Sequence, residues 1–306
     1  MNKKIKILQA AELPGKAEQA LREQFTVLAL PKEAGDIDAL LLEHGAEIRG
    51  IAVRKRKIDA AMIQRLPALE VISSYSAGLE GVDVAAAQAR GIAVHNTSEA
   101  LAEDVADLGL CLIISIARGV HNGHDFVRDG RWPSEAFPLG RSVRSLKAGI
   151  IGLGHIGSAL ARRLDSMKAE IAYFGPRPKP VPYLYFPDLL QMAHWADMLV
   201  VTCPGGAATR HLVDRAVIGQ LGPNGFLVNI SRGSVVDERA LIEALENRAL
   251  AGAGLDVFEN EPDVPTELRN SDRVVLSPHM GSGSQETREL MGDSMVGALV
   301  AHFQAR

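Results

Sequence analysis

A run of six residues, Gly152-Leu153-Gly154-His155-Ile156-Gly157, constrains the fold of this chain more than any other stretch. It follows the apolar segment Ala148, Gly149, Ile150, Ile151 and precedes Leu160 and Leu164, which recur at helical spacing. The glycines therefore occupy a turn that leaves a strand and opens a helix. Gly152 permits the tight turn, Gly154 admits a pyrophosphate close to the backbone, and Gly157 lets the helix pack on the sheet. Free N–H groups at the helix start, aided by the helix dipole, favour the negative charge. Spacing alone is a weak signal. Its place between strand and helix predicts a dinucleotide-binding sheet, with residues 152–157 against the cofactor.

The same rhythm runs along the whole chain. Apolar runs at residues 5–8, 25–28, 50–53, 70–73 and 92–94 predict strands, with helical patterns at 16–24 and 83–90 between them. Gly91 stands where a left-handed helix cap is needed. A second series starts at Lys147 and continues through strands at 170–174, 198–202, 226–230, 253–258 and 274–276. Alternation of this kind predicts parallel sheets. Between the two series, Asn96, Thr97 and Ser98 are expected to cap a long helix to about Arg118, with Leu101, Val105, Leu108, Leu112 and Ile116 on one stripe. Residues 121–143, broken by Gly123, Gly130, Pro133, Pro138 and Gly140, read as an irregular excursion suited to a dimer arm.

A final helix over 285–303 is long enough to return to the first domain. The expected fold class is thus α/β: two doubly wound parallel-sheet domains, Rossmann-like and flavodoxin-like, with a cleft between them. Residues 1–98 plus 285–306 form the substrate domain, and 99–284 form the dinucleotide-binding domain.

Composition narrows the function. With 306 residues, 47% hydrophobic and 23% charged, the chain has the profile of a globular protein of two domains. A net charge of −4 argues against nucleic-acid binding, and the one basic cluster, Arg54-Lys55-Arg56-Lys57, is short enough to be a solvated face. The longest apolar run, 108–117, is too short to span a bilayer. Lys3, Lys4 and Lys6 alternating with Ile5 and Ile7 suit a first strand rather than a signal peptide. Cys111 and Cys203 have no Cys or His at ligand spacing, so no metal is expected and two free thiols in the cytoplasm are.

At the end of the second strand of the dinucleotide domain, an NAD site places a carboxylate on the ribose hydroxyls. Gly175 stands there instead, followed by Pro176, Arg177, Pro178 and Lys179. Two cations without an acid suit a 2′-phosphate, so NADP is expected to be preferred, with NAD possible.

Three more polar residues fall just past predicted strand ends: Arg232, Glu261 and His279. Ligands bind at that edge of an open α/β sheet. A 2-oxo acid presents a carboxylate and a carbonyl oxygen in one plane, which a guanidinium fork can hold while polarising the carbonyl. Hydride delivery leaves an oxygen that needs a proton, and imidazolium is the acid at hand near neutral pH. A carboxylate beside it favours the charged ring and fixes which nitrogen faces substrate. Arg232, His279 and Glu261 take those three roles.

The run 152–157, Asn229-Ile230-Ser231-Arg232-Gly233, Leu255-Asp256-Val257-Phe258-Glu259-Asn260-Glu261-Pro262 and Ser277-Pro278-His279-Met280-Gly281-Ser282 together resemble the D-isomer-specific 2-hydroxyacid dehydrogenases. Through Gly222-Pro223-Asn224-Gly225, Val236-Asp237-Glu238 and the run 281–287, the chain is most similar to the glyoxylate/hydroxypyruvate reductases and plant hydroxyphenylpyruvate reductases of that family. The resemblance implies the same catalytic set of Arg232, Glu261 and His279. It adds Asp256 against the nicotinamide carboxamide, Thr202, Ile230, Ser231 and Gly281 along the cofactor, and main-chain N–H groups of Ala77 and Gly78 on the substrate carboxylate. It also brings Arg54 toward the substrate, Trp132 toward a neighbouring subunit, and a homodimer built on 101–143. Gly205 and Gly206 depart from the family's bulkier residues near the adenine pocket. Reduction of glyoxylate or hydroxypyruvate to the D-2-hydroxy acid is the activity expected. The same chemistry on a larger 2-oxo acid such as an arylpyruvate, or a dinucleotide-sensing regulator with little turnover, are the alternatives.

Overall fold

Twelve strands form two sheets, both entirely parallel, in the computed structural model, which describes residues 4–10 and 12–304. In the first sheet β1 (Lys6–Gln9), β2 (Thr26–Ala29), β3 (Ile48–Val53), β4 (Val71–Ser74) and β5 (Ala93–His95) lie in the order β2-β1-β3-β4-β5. The second contains β6 (Lys147–Ile151), β7 (Glu170–Phe174), β8 (Leu184–Phe186), β9 (Met198–Val201), β10 (Phe226–Asn229), β11 (Gly252–Leu255) and β12 (Val274–Leu276), ordered β12-β11-β10-β9-β6-β7-β8. These are the flavodoxin-like and Rossmann-like orders. The central strands β4, β9, β10 and β11 are buried at every residue, as expected of strands covered by helices on both faces.

Two compact units result. One holds the described residues up to Leu101 with those from Ser282 onward, the other Ala102–Gly281. The changeovers lie a few residues from the boundaries drawn on the sequence, for a local reason. Thr97 N–H donates to Ser76 O at 3.0 Å and Leu101 N–H to Thr97 O at 3.3 Å, tying that turn to the first unit. Ser284 Oγ accepts the Thr287 N–H at 3.1 Å, so residue 284 belongs with the helix that follows. That helix, Gln285–Gln304, closes the first unit: Ser73 Oγ donates to Met295 O at 3.0 Å, and Gly292 packs on Ala17. Residues 1–3, 11 and 305–306, assigned above to the first domain, lie outside the described residues.

Most strands fall within a residue or two of their expected places, and the exceptions have physical causes. The helix expected to start at Asn96–Ser98 begins at Ala102. Asn96 Oδ1 instead accepts the Ser98 N–H at 3.2 Å and hydroxyl at 2.8 Å, a local turn that competes with helix capping. The stretch from His121 is not irregular throughout. Val120–Arg128 is a helix whose Phe126 is buried edge-on against Phe137 at 5.3 Å; Gly123, read above as a break, instead makes room for the Phe137 ring, as does Gly119 before the helix. The strand expected at 253–258 stops at Leu255: Asp256 N–H makes the last ladder bond, to Asn229 O at 3.0 Å, and the Asp256 carboxylate is taken up by the loop after β12.

Candidate active site

The strand order of the second sheet reverses between β6 and β9, and connections leave those neighbours in opposite directions. A crevice opens at the carboxyl ends of strands at such a point. The glycine turn after β6 occupies it. Gly152 has φ +95°, and a Cβ there would lie 2.6 Å from Cys203 Cα; one on Gly157 would lie 2.2 Å from Gly152 O. Gly154 differs: a Cβ would meet nothing within 4 Å, so its backbone faces open space. It precedes the helix His155–Ser166, whose start has no side-chain cap, which leaves the first N–H groups to a phosphate. Leu153 is buried, Ile156 half-buried and His155 exposed. Thr202, at the end of β9, donates its hydroxyl to Gly152 O at 2.5 Å and so holds the turn from beneath. This cradle fits a dinucleotide.

Past β7, Pro176 and Arg177 are exposed, and Lys179 behaves differently from Arg177. Its N–H donates to the Tyr173 hydroxyl at 2.6 Å, and its ammonium donates to Leu153 O inside the glycine turn. One of the two expected cations is therefore anchored on the cradle and the other stands in solvent.

Three adjacent strands, β10, β11 and β12, deliver Arg232, Glu261 and His279 to the same carboxyl-end edge. Asn229 holds the first: its Oδ1 accepts the Ser231 N–H at 3.1 Å and its Nδ2 donates to Arg232 O at 3.0 Å. Arg232 Nη1 donates to Ser231 O at 2.7 Å. The Gly233 backbone then passes so close to Phe258 that a Cβ would lie 1.9 Å from its carbonyl carbon, which seats the arginine's segment on the loop that carries Glu261. Glu261 Oε1 accepts the Phe258 N–H at 3.2 Å, and Oε2 accepts from His279 Nδ1 at 2.7 Å. Nε2 of the same ring is thereby left as the nitrogen available to a substrate.

His279 adopts φ +50°, a conformation that costs a residue with a Cβ about 1 kcal/mol or more. Its N–H bonds to Asp256 O at 2.8 Å and to Ser277 O at 3.1 Å hold it there. Asp256 is the hub. It is 2% exposed; Oδ1 accepts from Ser277 Oγ at 2.7 Å and Met280 N–H at 2.8 Å, and Oδ2 from Gly281 N–H at 2.9 Å. A residue expected only to touch nicotinamide thus also builds the loop on either side of the histidine. Ile230 departs from expectation. Its side chain is buried against Gly109 of the helix Ala102–Arg118, so only its backbone is offered at the edge. Ser231 donates its hydroxyl to Cys203 O.

In the first unit Arg54 follows β3, and Ala77 and Gly78 follow β4, again at carboxyl ends. Gly78 N–H donates to Ser76 Oγ at 3.2 Å and Ala77 O accepts from Asn96 Nδ2 at 2.9 Å, which fixes the turn. Among the described residues no group of three or more His, Cys, Asp or Glu side chains is placed to hold a metal, and no helix is long and apolar enough to cross a membrane.

A family profile described as the NAD binding domain of D-isomer specific 2-hydroxyacid dehydrogenases matches residues 110–281. Glyoxylate/hydroxypyruvate reductase A of Arabidopsis thaliana is 41% identical over 99% of this chain and 97% of its own length. This chain belongs to the D-isomer-specific 2-hydroxyacid dehydrogenases. Hydroxyphenylpyruvate reductase of Plectranthus scutellarioides is 40% identical with the same coverage. The solved structure of an NADPH-dependent glyoxylate/hydroxypyruvate reductase from Sinorhizobium meliloti, in complex with NADP and malonate, superposes with a TM-score of 0.87 at 40% identity, covering 98% of this chain and 94% of that one. The dehydrogenase is accordingly an oxidoreductase that uses a nicotinamide dinucleotide.

Some residues that shape the dehydrogenase's edge gave no signal in the sequence. Glu259 Oε1 accepts from Arg210 Nη2 and His211 Nε2, both at 2.9 Å, while its N–H donates to Glu238 Oε2 at 3.1 Å. Burial raises the Glu238 carboxyl above its ordinary range, with the Glu259 charge adding to the rise and the Glu259 N–H opposing it. The four residues brace the loop two positions before Glu261. Cys203, packed under Gly152, is a buried thiol whose pKa is pushed up by burial to about 11.

Proposed function

We propose that this dehydrogenase reduces glyoxylate and hydroxypyruvate to the D-2-hydroxy acid, with NADPH preferred over NADH. The observation that carries the proposal is the 2.7 Å bond from His279 Nδ1 to Glu261 Oε2 on the strand edge that also bears Arg232. The glycine turn, with residues 152–157, would hold the pyrophosphate, and Arg177 and Lys179 the 2′-phosphate. Bound there, a reduced nicotinamide supplies a hydride to the 2-carbon of the acid.

Each protein group then has one task. The Arg232 fork orients the carboxylate and carbonyl oxygen and draws charge onto the latter. The turn at Ala77 and Gly78, with Arg54, takes the carboxylate. His279, protonated, gives its Nε2 proton to the oxygen as negative charge develops, and Glu261 stabilises the imidazolium and keeps its tautomer fixed. Asp256 keeps the histidine loop in place from within the protein. Reduction of an arylpyruvate is a second reading, favoured by the similarity to hydroxyphenylpyruvate reductase.

The exposed apolar side chains Val120, Val127, Trp132 and Leu139 support a homodimer through 101–143, which light scattering would test by the mass of two chains. Cytoplasmic residence belongs to the same reading, supported by the free thiols Cys111 and Cys203. The deciding experiment is NADPH oxidation with a panel of 2-oxo acids, for the native enzyme and for Arg232→Lys. We expect turnover of glyoxylate and hydroxypyruvate, and a loss in kcat/KM of about 100-fold or more with lysine, which lacks the fork. Full activity of Arg232→Lys would overturn the assignment of that residue, and silence across the panel would overturn the activity.

A further inference from the structure

Glu261 stands on a turn that burial alone does not hold. Phe258 enters the core of the second unit, but Asn260, Glu261, Pro262 and Asp263 are all exposed. Within the turn, Phe258 N–H donates to Glu261 Oε1 at 3.2 Å and Asp263 N–H to Asn260 O at 2.9 Å. These bonds shape the turn without tying it to anything else. Among the described residues, every hydrogen bond that leaves residues 258–263, apart from the one to His279, is made by Glu259.

Glu259 reaches two other loops at the same carboxyl edge. Its N–H donates to Glu238 Oε2 at 3.1 Å, at the start of the helix Glu238–Glu246 that follows β10. Its Oε1 accepts from Arg210 Nη2 and His211 Nε2, both at 2.9 Å, in the segment that follows β9. A carboxylate gripped by a guanidinium and a second donor is a strong tie. The His211 side of the grip is itself built: its N–H donates to Ser234 O at 2.8 Å, and its φ of +49° is unfavourable for a residue with a Cβ. Such a conformation persists only where its surroundings hold it. Gly233 lies against the peptide between Phe258 and Glu259, where a Cβ would come within 2.4 Å of Glu259 N. The loops after β9, β10 and β11 therefore meet at this one residue.

We propose that Glu259, gripped by Arg210 and His211, is a positioning residue that holds the Glu261 carboxylate against His279. It acts through Glu261 and touches no reacting atom. The proposal rests on the reductase reading, in which Glu261 orients the proton donor. An exposed turn released from its anchor lets that carboxylate wander, and a misplacement of about 1 Å in a catalytic constellation costs on the order of 100-fold in rate.

Glu259→Gln keeps the shape of the side chain and removes the charge that Arg210 and His211 grip. In this variant kcat is expected to fall about tenfold or more, with KM for NADPH within about twofold of wild type, because the glycine turn keeps its own bonds. The deciding comparison is the same substitution in a Glu261→Ala background, where no carboxylate remains to be positioned. There Glu259→Gln should change kcat by less than about twofold. An equal factor in both backgrounds, or an unchanged kcat in Glu259→Gln alone, would overturn the proposal.

Hydrogen exchange read by mass spectrometry needs no turnover and separates the two ideas. Amides within residues 258–263 are expected to exchange about tenfold faster in Glu259→Gln, while those of β10 keep their wild-type rate. Should no 2-oxo acid be reduced, the reductase reading fails, and that local acceleration would still establish Glu259 as the anchor of the Glu261 turn. Unchanged exchange at 258–263, or equal acceleration in β10, would remove it.

Discussion

Asp256 and His279 are joined through the backbone, His279 N–H to Asp256 O at 2.8 Å, while the Asp256 carboxylate receives the two N–H groups that follow, those of Met280 and Gly281. The histidine is thus gripped on both sides by one buried residue, and its ring is turned by a second carboxylate, Glu261, from the neighbouring strand exit. Position and orientation have separate causes, so they can be removed separately.

Replacing Glu261 by Gln should leave the loop intact and lose only the charge on Nδ1. A fall in kcat/KM of about 10- to 100-fold is expected, the worth of a hydrogen bond to a charged group, with KM little altered. His279→Gln removes the proton donor itself and should cost about 100- to 10,000-fold. Steady-state kinetics on both variants checks the order. A Glu261→Gln enzyme as slow as His279→Gln would mean that the carboxylate does more than orient and stabilise.

Gly157→Ala tests the cradle. The added methyl would lie 2.2 Å from Gly152 O and 2.8 Å from Thr202 Oγ1, and the first of these is backbone that cannot step aside. A loss of about 1 to 3 kcal/mol in stability is expected from overpacking, together with weakened NADPH binding. Thermal denaturation and fluorescence titration report the two effects. Gly154→Ala, where a Cβ meets nothing within 4 Å, should leave stability within about 1 kcal/mol of wild type yet still crowd the pyrophosphate.

Lys179 and Arg177 were expected to act alike, but only Lys179 is tied to the glycine turn through Leu153 O. Lys179→Ala should therefore weaken both cofactors by loosening the turn, whereas Arg177→Ala should cost NADPH alone. The ratio of kcat/KM for NADPH over NADH is expected to fall about tenfold in Arg177→Ala and less in Lys179→Ala. An unchanged ratio in Arg177→Ala would move the 2′-phosphate contact elsewhere.

Much of this was legible from residues whose physical demand is local. The glycines at 152, 154 and 157 each answer a different steric need, and the strands after which the polar residues stand could be read from short apolar runs such as Phe226-Leu227-Val228 and Val274-Val275-Leu276. What was hidden depends on contacts distant in sequence. Nothing near Ile230 says that its side chain turns inward to Gly109, and nothing near Glu259 announces Arg210 and His211, 49 and 48 positions away. The strand β8 follows a proline-rich stretch and is only three residues long, with no alternation to reveal it.

Asp197 gives a prediction for stability rather than catalysis. It joins the loop before β9 to Arg141 Nη2 at 2.8 Å and to the Lys147 N–H at 3.0 Å. Burial alone would raise its carboxyl, but the Arg141 hydrogen bond, the Lys147 N–H and the two cationic charges outweigh it, and the net shift is downward. A carboxyl whose folded pKa lies below its unfolded value, about 3.9, stabilises the fold fully above that range, and the contribution is lost as pH falls through the folded value. Asp197→Asn should therefore lower stability by about 1 to 3 kcal/mol near neutral pH, and the gap to wild type should close as the solution is acidified below the ordinary carboxylate range. Denaturant titrations at a series of pH values measure it. A gap that stays constant down to acid pH would show that the ionised carboxylate contributes nothing beyond what an amide supplies, and that Arg141 is held by the Asn224 carbonyl it also contacts at 3.0 Å.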